Sequence, residues 1–275
     1  MKLRGRVAVV TGAAGGIGRG IALALARRGC HLGLADSDAG ALAAAAAQVE
    51  ALGVRASRHF VDVADRPAVA ALPEALREAH GRVDVLVNNA GVALGGTFEQ
   101  VSEADFDWLM AINFNAVVGM TRAFLPLLHG SDDARIVNVS SVYGLVSPPG
   151  QSAYSASKFA VRGFSEAVRH ELAENRVGVT VVHPGGIRTR IAESARTGSG
   201  VPVEGYEQGR RQFATLLTMP PETAAAQIMA AIEQRRPRLL IGWSAKVPDV
   251  LVRLLPGSYW KLIARRAAPA KSPSS

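Results

Sequence analysis

Tyr154 and Lys158 stand four residues apart in a stretch whose apolar spacing predicts a helix over 153–175, so both side chains emerge on one helix face. An ammonium beside a phenol favours the phenolate, and a tyrosine tuned in this way can exchange a proton with a substrate oxygen near neutral pH. Most Tyr-x-x-x-Lys pairs on helices are ordinary surface pairs, so the rest of the chain must decide. Two hydroxyls, Ser140 and Ser141, follow a short apolar run at 135–139. Either could hydrogen-bond and orient the same oxygen, and either could instead cap a turn.

A second feature is the turn Thr11-Gly12-Ala13-Ala14-Gly15-Gly16-Ile17-Gly18, which follows the first apolar run and opens a helical stretch. Gly12, Gly16 and Gly18 permit a tight turn, close approach of backbone to a pyrophosphate and tight helix packing, with the helix N-terminus toward the phosphates. An ordinary strand-to-helix turn is the competing reading. Asp36 lies about 20 residues further on, at the end of the next apolar run, where a carboxylate can accept from ribose hydroxyls. It would repel a 2′-phosphate, no basic residue stands directly before Gly16 in the turn, and Ser37 follows Asp36, which together favour NAD(H) over NADP(H). Asp36 could equally cap a helix.

These residues need a frame. Short β-branched runs at 7–10, 32–35, 59–61, 83–87, 135–139, 177–182 and 239–241 alternate with helix-period stretches at 17–28, 39–52, 102–128, 153–175 and 221–234. Continuous apolar strands alternating with helices predict an α/β fold, a doubly wound parallel sheet of seven strands with helices on both faces. The length suits one domain. Residues 189–219 break into Gly, Pro, Ser and charged residues and are expected to form a mobile lid over substrate, with Phe213, Leu216, Leu217 and Met219 as its apolar part.

With the turn, Asp36 and the Tyr154-Ser155-Ala156-Ser157-Lys158 segment in order, the chain resembles the short-chain dehydrogenase/reductase family. The resemblance runs strongly from Arg6 to Thr189 and by pattern alone over 221–242. Asn88-Asn89-Ala90-Gly91 resembles the family's signature after the fourth strand, Asp62-Val63 its adenine contact, and Pro184-Gly185 with Ile187 and Thr189 the segment that holds the nicotinamide carboxamide. The resemblance implies a catalytic set of Asn113, Ser141, Tyr154 and Lys158, with Ser141 preferred to Ser140 by its spacing to Tyr154. It further implies a dinucleotide held by Gly12, Gly15, Gly16, Ile17, Gly18, Asp36, Asp62, Val63, Asn89, Ala90, Gly91, Tyr154, Lys158, Pro184, Gly185, Ile187 and Thr189. In that set Asn113 could hold a water linking Lys158 to solvent. A dimer or tetramer packed through the two long helices at 102–128 and 153–175 is also implied.

Composition narrows the alternatives. The chain is 48% hydrophobic and 20% charged, too apolar for a disordered protein. Its net charge of +8 raises nucleic acid as a partner, but no nucleic-acid motif accompanies the basic residues and aromatics are few. A lone Cys30 excludes an internal disulfide and fits a reducing cytoplasm, and the six histidines show no metal-ligand spacing, so no metal is expected. Residues 246–266 mix Val250, Leu254, Trp260 and Ile263 with Lys246, Arg253, Lys261, Arg265 and Arg266. Such an amphipathic piece can lie on a membrane surface, cover the pocket or join subunits. The expected function is interconversion of a secondary alcohol and a ketone, plausibly apolar, by hydride transfer with NAD(H). The alternative is a dinucleotide-binding regulator or scaffold that keeps the fold without turnover.

Overall fold

The computed structural model describes residues 1–202, 207, 209, 211 and 214–267. Its centre is a seven-stranded parallel sheet in the order β3-β2-β1-β4-β6-β7-β9. The strands are β1 (Val7–Thr11), β2 (His31–Asp36), β3 (Ala56–Phe60), β4 (Val85–Asn88), β6 (Ala134–Val139), β7 (Val177–Pro184) and β9 (Arg238–Ile241). β1 is apolar at nearly every position because both its faces are covered: Ala8 and Val10 meet one layer of helices and Val9 the other.

On the first face lie α1 (Gly16–Ala26), α2 (Ala39–Glu50) and α7 (Pro221–Glu233), which contribute Ile21, Leu25, Leu42, Val49, Ile228 and Ile232 to the core. On the second face α3 (Arg66–His80) and α5 (Ala116–His129) bring Leu76, Phe124 and Leu128 against Leu86 and Ile136. The lower-numbered helices start where their sequences dictate. Asp38 caps α2 by accepting from the Ala41 N–H at 2.9 Å, and Asp65 caps α3 through Ala68 at 3.1 Å.

Several boundaries differ from the sequence expectation, and the helix expected over 153–175 ends at Glu171. β3 covers 56–60 rather than 59–61: it is an edge strand with an alternating polar pattern, so its apolar residues understate its length. β4 runs from Val85, two residues later than expected. The helix expected over 102–128 is α4 (Glu103–Met110), a wide π turn at Ala111–Asn115, then α5. By length and composition Glu103–His129 could cross a membrane. Here it packs on α3, on the sheet and on α6 (Ser152–Glu171). The segment expected at 246–266 is two helices, α8 (Trp243–Leu254) and α9 (Tyr259–Ala267), parted by Pro256 and Gly257.

The segment expected as a lid is anchored at its start. A two-residue strand β8 (Arg196–Thr197) pairs in parallel with β5 (Leu94–Gly95), and the Arg196 guanidinium stacks 3.7 Å from the Trp108 ring centroid. Ile187 bridges to Met219 at its far end. Phe213 lies outside the described residues.

Candidate active site

Strand order reverses between β1 and β4, and parallel strands that diverge there leave a crevice at their C-terminal ends. The glycine turn fills one lip of it. Gly12 and Gly16 have φ of +62° and +52°, and a Cβ on Gly18 would stand 2.0 Å from the Gly12 carbonyl oxygen. Gly15 is the N-cap of α1 and brings no side chain to the first amides, which leaves them for an anion.

Asn89 ties the turn to the neighbouring strand end. Its Nδ2 donates to the Thr11 and Gly12 carbonyls at 3.0 and 3.2 Å, while the N–H groups of Asn89 and Ala90 donate to Thr11 Oγ1 at 3.0 and 3.1 Å. Asp36 faces the same turn: Oδ2 accepts from the Ala14 N–H at 2.8 Å and Oδ1 from the Asp38 N–H at 3.0 Å. Since Asp38 caps α2, the capping alternative for Asp36 falls away. Asp62 Oδ1 accepts from Ala64 N–H at 2.9 Å, and Val63 is buried beside a small cleft that Thr11, Ala90 and Ile112 also line. Glycines where a Cβ would collide, an uncapped helix N-terminus and a carboxylate one strand away together fit a dinucleotide's pyrophosphate and ribose.

Tyr154 and Lys158 stand across the crevice on α6. Tyr154 is buried, its ring edge-on to Tyr143 with centroids 6.0 Å apart. Lys158 is also buried; its Nζ lies 5.7 Å from the Tyr154 ring centroid and donates to the Val139 carbonyl at 3.3 Å. Burial pushes the phenol up to about 12, partly offset by a hydrogen bond with Ser141, and the neighbouring Tyr143 adds to the rise. Burial likewise lowers Lys158 to about 8. In this structure the Lys158 amine faces the Val139 carbonyl, and desolvation is the leading influence on both groups.

The structure separates the two serines. Ser140 Oγ donates to the Lys158 carbonyl at 2.8 Å and is packed under Gly144, so it braces α6. Ser141 caps the short turn Val142–Gly144, accepting from Tyr143 N–H at 3.1 Å, and is the serine that meets Tyr154. Asn113 is fully buried in the π turn. Its Oδ1 accepts from Val92 N–H at 2.8 Å, and its Nδ2 donates to the Val92 carbonyl at 3.0 Å and to Ser157 Oγ at 3.2 Å. Both amide hydrogens are thus taken, and this side chain clamps the 90–92 backbone to α6. Gly91 lies between: a Cβ there would come within 3.1 Å of Asn113 Oδ1 and 3.3 Å of Lys158 Nζ.

The segment after β7 closes the site. Gly185 donates to the Ile241 carbonyl at 3.0 Å, and its missing Cβ leaves room for Ser244 Oγ. The Thr189 methyl lies 3.0 Å from where a Gly16 Cβ would be, so this segment reaches over the glycine turn. Sequence reasoning missed four residues here. Arg190 brings Nη2 to within 3.6 Å of the Gly15 Cβ position, beside the phosphate turn. Ser157 relays from Asn113 to the Tyr154 carbonyl, accepting one hydrogen bond and donating the other at 2.7 Å. Tyr143 packs on Tyr154, and His183 Nδ1 holds the Ser141 carbonyl at 3.1 Å. Only Ser157, lying inside the Tyr154–Lys158 spacing, carried a local signal. Among the described residues no group of three His, Cys, Asp or Glu is placed to hold a metal ion.

Comparison with known proteins agrees with this geometry. A Mycobacterium tuberculosis protein named oxidoreductase SadH is 41% identical over 268 residues, 96% of each chain. Oxidoreductase UcpA of Salmonella typhimurium is 41% identical over 195 residues, 70% of this chain and 73% of its own. Among solved structures, a short-chain dehydrogenase/reductase from Burkholderia phymatum in complex with NAD superposes with a TM-score of 0.86 at 32% identity, covering 100% of this chain and 99% of the other. A metagenomic short-chain oxidoreductase in complex with NADP gives 0.72 at 31% identity, over 88% and 98%. The family described as short chain dehydrogenase matches residues 6–200. A match over that length, with the glycine turn, the seven-stranded sheet and the Tyr154–Lys158 helix all inside or beside it, makes this chain a member of the short-chain dehydrogenase/reductase family.

Proposed function

We propose that this oxidoreductase interconverts a secondary alcohol and a ketone, and that it prefers NAD(H). The observation that carries the reading is the convergence of Ser141, Tyr154 and Lys158 at the C-terminal end of the sheet, opposite a turn shaped for a pyrophosphate. The nicotinamide, when bound, supplies or accepts the hydride. In the reducing direction Tyr154 gives its hydroxyl proton to the carbonyl oxygen, and the Ser141 hydroxyl donates a hydrogen bond that orients the same oxygen. Lys158 holds a proton within the buried cluster, and Asn113, through Val92 and Ser157, keeps the 90–92 backbone against it.

The Ser141 hydroxyl set against the Tyr154 phenol beside a buried Lys158 argues against a silent scaffold, because holding a dinucleotide does not call for a second hydroxyl at that phenol. An apolar substrate is supported by Val92, Tyr143, Ile191 and Ala195, which pack on the apolar cluster that includes Tyr154, and by Leu216 and Met219 further along the lid. The half-exposed Phe114 and Val118, and Phe159 on α6, support a dimer or tetramer through the two long helices.

Cofactor preference rests on Asp36. Fluorescence titration with NADH and NADPH is expected to show tighter NADH binding, and Asp36→Ala to narrow the gap by about tenfold, the effect of removing one charged contact and one repulsion. Tighter NADPH binding by the unaltered protein would overturn the preference.

A further inference from the structure

α8 presents a face that the site does not use. Trp243, Val247, Val250 and Leu254, at i, i+4, i+7 and i+11, line one side of the helix and are 77%, 43%, 54% and 72% exposed. Leu255, just before Pro256, and Leu262 on α9 are exposed as well. The other side of α8 is fixed to the protein: Ala245 is buried, and Asp249 is buried in ion pairs with Arg238 at 2.5 Å and Arg253 at 3.2 Å. Lys246 and Arg253, both exposed, border the stripe on one flank, and Lys246 Nζ stands 5.3 Å over the Trp243 ring.

The stretch of sequence that carries this face is basic. From residue 235 to the end the sequence has nine Lys and Arg and one acidic residue, Asp249, while the 234 residues before it carry 22 basic and 22 acidic side chains. The formal excess of +8 therefore belongs entirely to this final segment. Two copies meeting through the stripe would bring the Lys246 and Arg253 flank of one toward that of the other, which like-charge repulsion disfavours. A convex helix with an exposed tryptophan, an apolar stripe and basic flanks suits the interfacial zone of an anionic bilayer.

We propose that α8 and α9 form a docking face for an anionic lipid surface. The face is tied to both rims of the crevice: Ser244 Oγ accepts from Gly186 N–H at 3.2 Å, and Tyr259 Oη accepts from Ser147 N–H at 3.1 Å, six residues beyond Ser141. Docking thus sets the segment after β7 and the loop after Ser141 beside the lipid. The inference stands on exposure and charge, independent of turnover.

The test is co-sedimentation of the full chain with phosphatidylcholine vesicles made with and without phosphatidylglycerol. The expected result is pelleting with the anionic vesicles alone, release by high salt, and binding weakened about tenfold by Trp243→Ser with Val250→Ser and likewise by Lys246→Glu. Thermal melting of each variant in the absence of vesicles is expected to stay near that of the unaltered chain, which separates lost docking from lost folding. Failure to pellet with anionic vesicles would overturn the proposal. So would a fall in solution mass by light scattering on Trp243→Ser with Val250→Ser, which would make the stripe a contact between copies. Equal capture by a soluble polyanion, unaffected by the apolar substitutions, would also overturn it.

Discussion

Lys158 releases its proton before Tyr154 does, because burial brings the amine down to about 8 while it lifts the phenol to about 12. The two are neighbours, so the pair titrates as a unit whose first ionisation falls near pH 8. Reduction of a carbonyl needs the protonated pair, and its kcat/KM is expected to be level below pH 8 and to fall above it. Oxidation of an alcohol needs the deprotonated pair and should rise toward a plateau through the same region. In Lys158→Met only the phenol remains to titrate, so the break near pH 8 should vanish from both profiles measured between pH 6 and 10. At this scale the sequence was informative where chemistry is local: Tyr154, Lys158 and the glycines declare themselves by spacing alone. The choice of Ser141 over Ser140 was not legible from residue type. It depends on Ser140 turning inward to the Lys158 carbonyl, a contact across 18 residues. Arg190 and Tyr143 were missed for the same reason, since their partners come from other parts of the chain.

At the level of elements, the site depends on how closely α1 leaves β1. Any Cβ on Gly18 would meet the Gly12 carbonyl at 2.0 Å and Asn89 Nδ2 at 2.5 Å, both fixed by the β1–β4 stitch. Gly18→Ala is therefore expected to weaken NADH binding by at least about tenfold, or 1.4 kcal/mol, and to lower the melting temperature, as titration and calorimetry would show. Unchanged affinity would mean that the turn does not carry the phosphates. The strands and most helices were readable because both faces of the sheet are buried and the apolar runs are long. β3 was misplaced because an edge strand exposes alternate side chains. The π turn had no signature in Ala-Ile-Asn-Phe-Asn, yet it is what sets Asn113 inward. The Pro256-Gly257 dipeptide marks the break between α8 and α9, but the amphipathic pattern on either side of it reads as one continuous piece.

Two buried histidines, His80 and His183, contribute to acid lability at the scale of the whole molecule. His80 and His183 are both held near 4 by burial, below the value of about 6.5 for a free imidazole. His80 Nε2 meets Ser57 Oγ at 2.9 Å and its Nδ1 has no hydrogen-bond partner among the described residues, as is true of His183 Nε2. Their folded values lie below the unfolded ones, so between pH 6.5 and 4 the unfolded chain takes up protons that the folded chain refuses. Stability is complete above pH 6.5 and falls as pH drops through that window, by roughly 1–2 kcal/mol for each histidine at pH 5. Denaturant melts at pH 7 and pH 5 should show this loss, and His80→Asn should remove its share of the difference. A loss unchanged in that variant would assign acid lability elsewhere.

The central claim is that Tyr154 exchanges the proton while the cofactor site is separate from it. The most direct measurement is turnover of a panel of secondary alcohols with NAD by the unaltered protein and by Tyr154→Phe, with NADH binding measured on both. The account predicts that the variant binds NADH as before and loses turnover by about 10²–10⁴-fold, the range a positioned acid–base contributes. Turnover by Tyr154→Phe at the rate of the unaltered protein would contradict it.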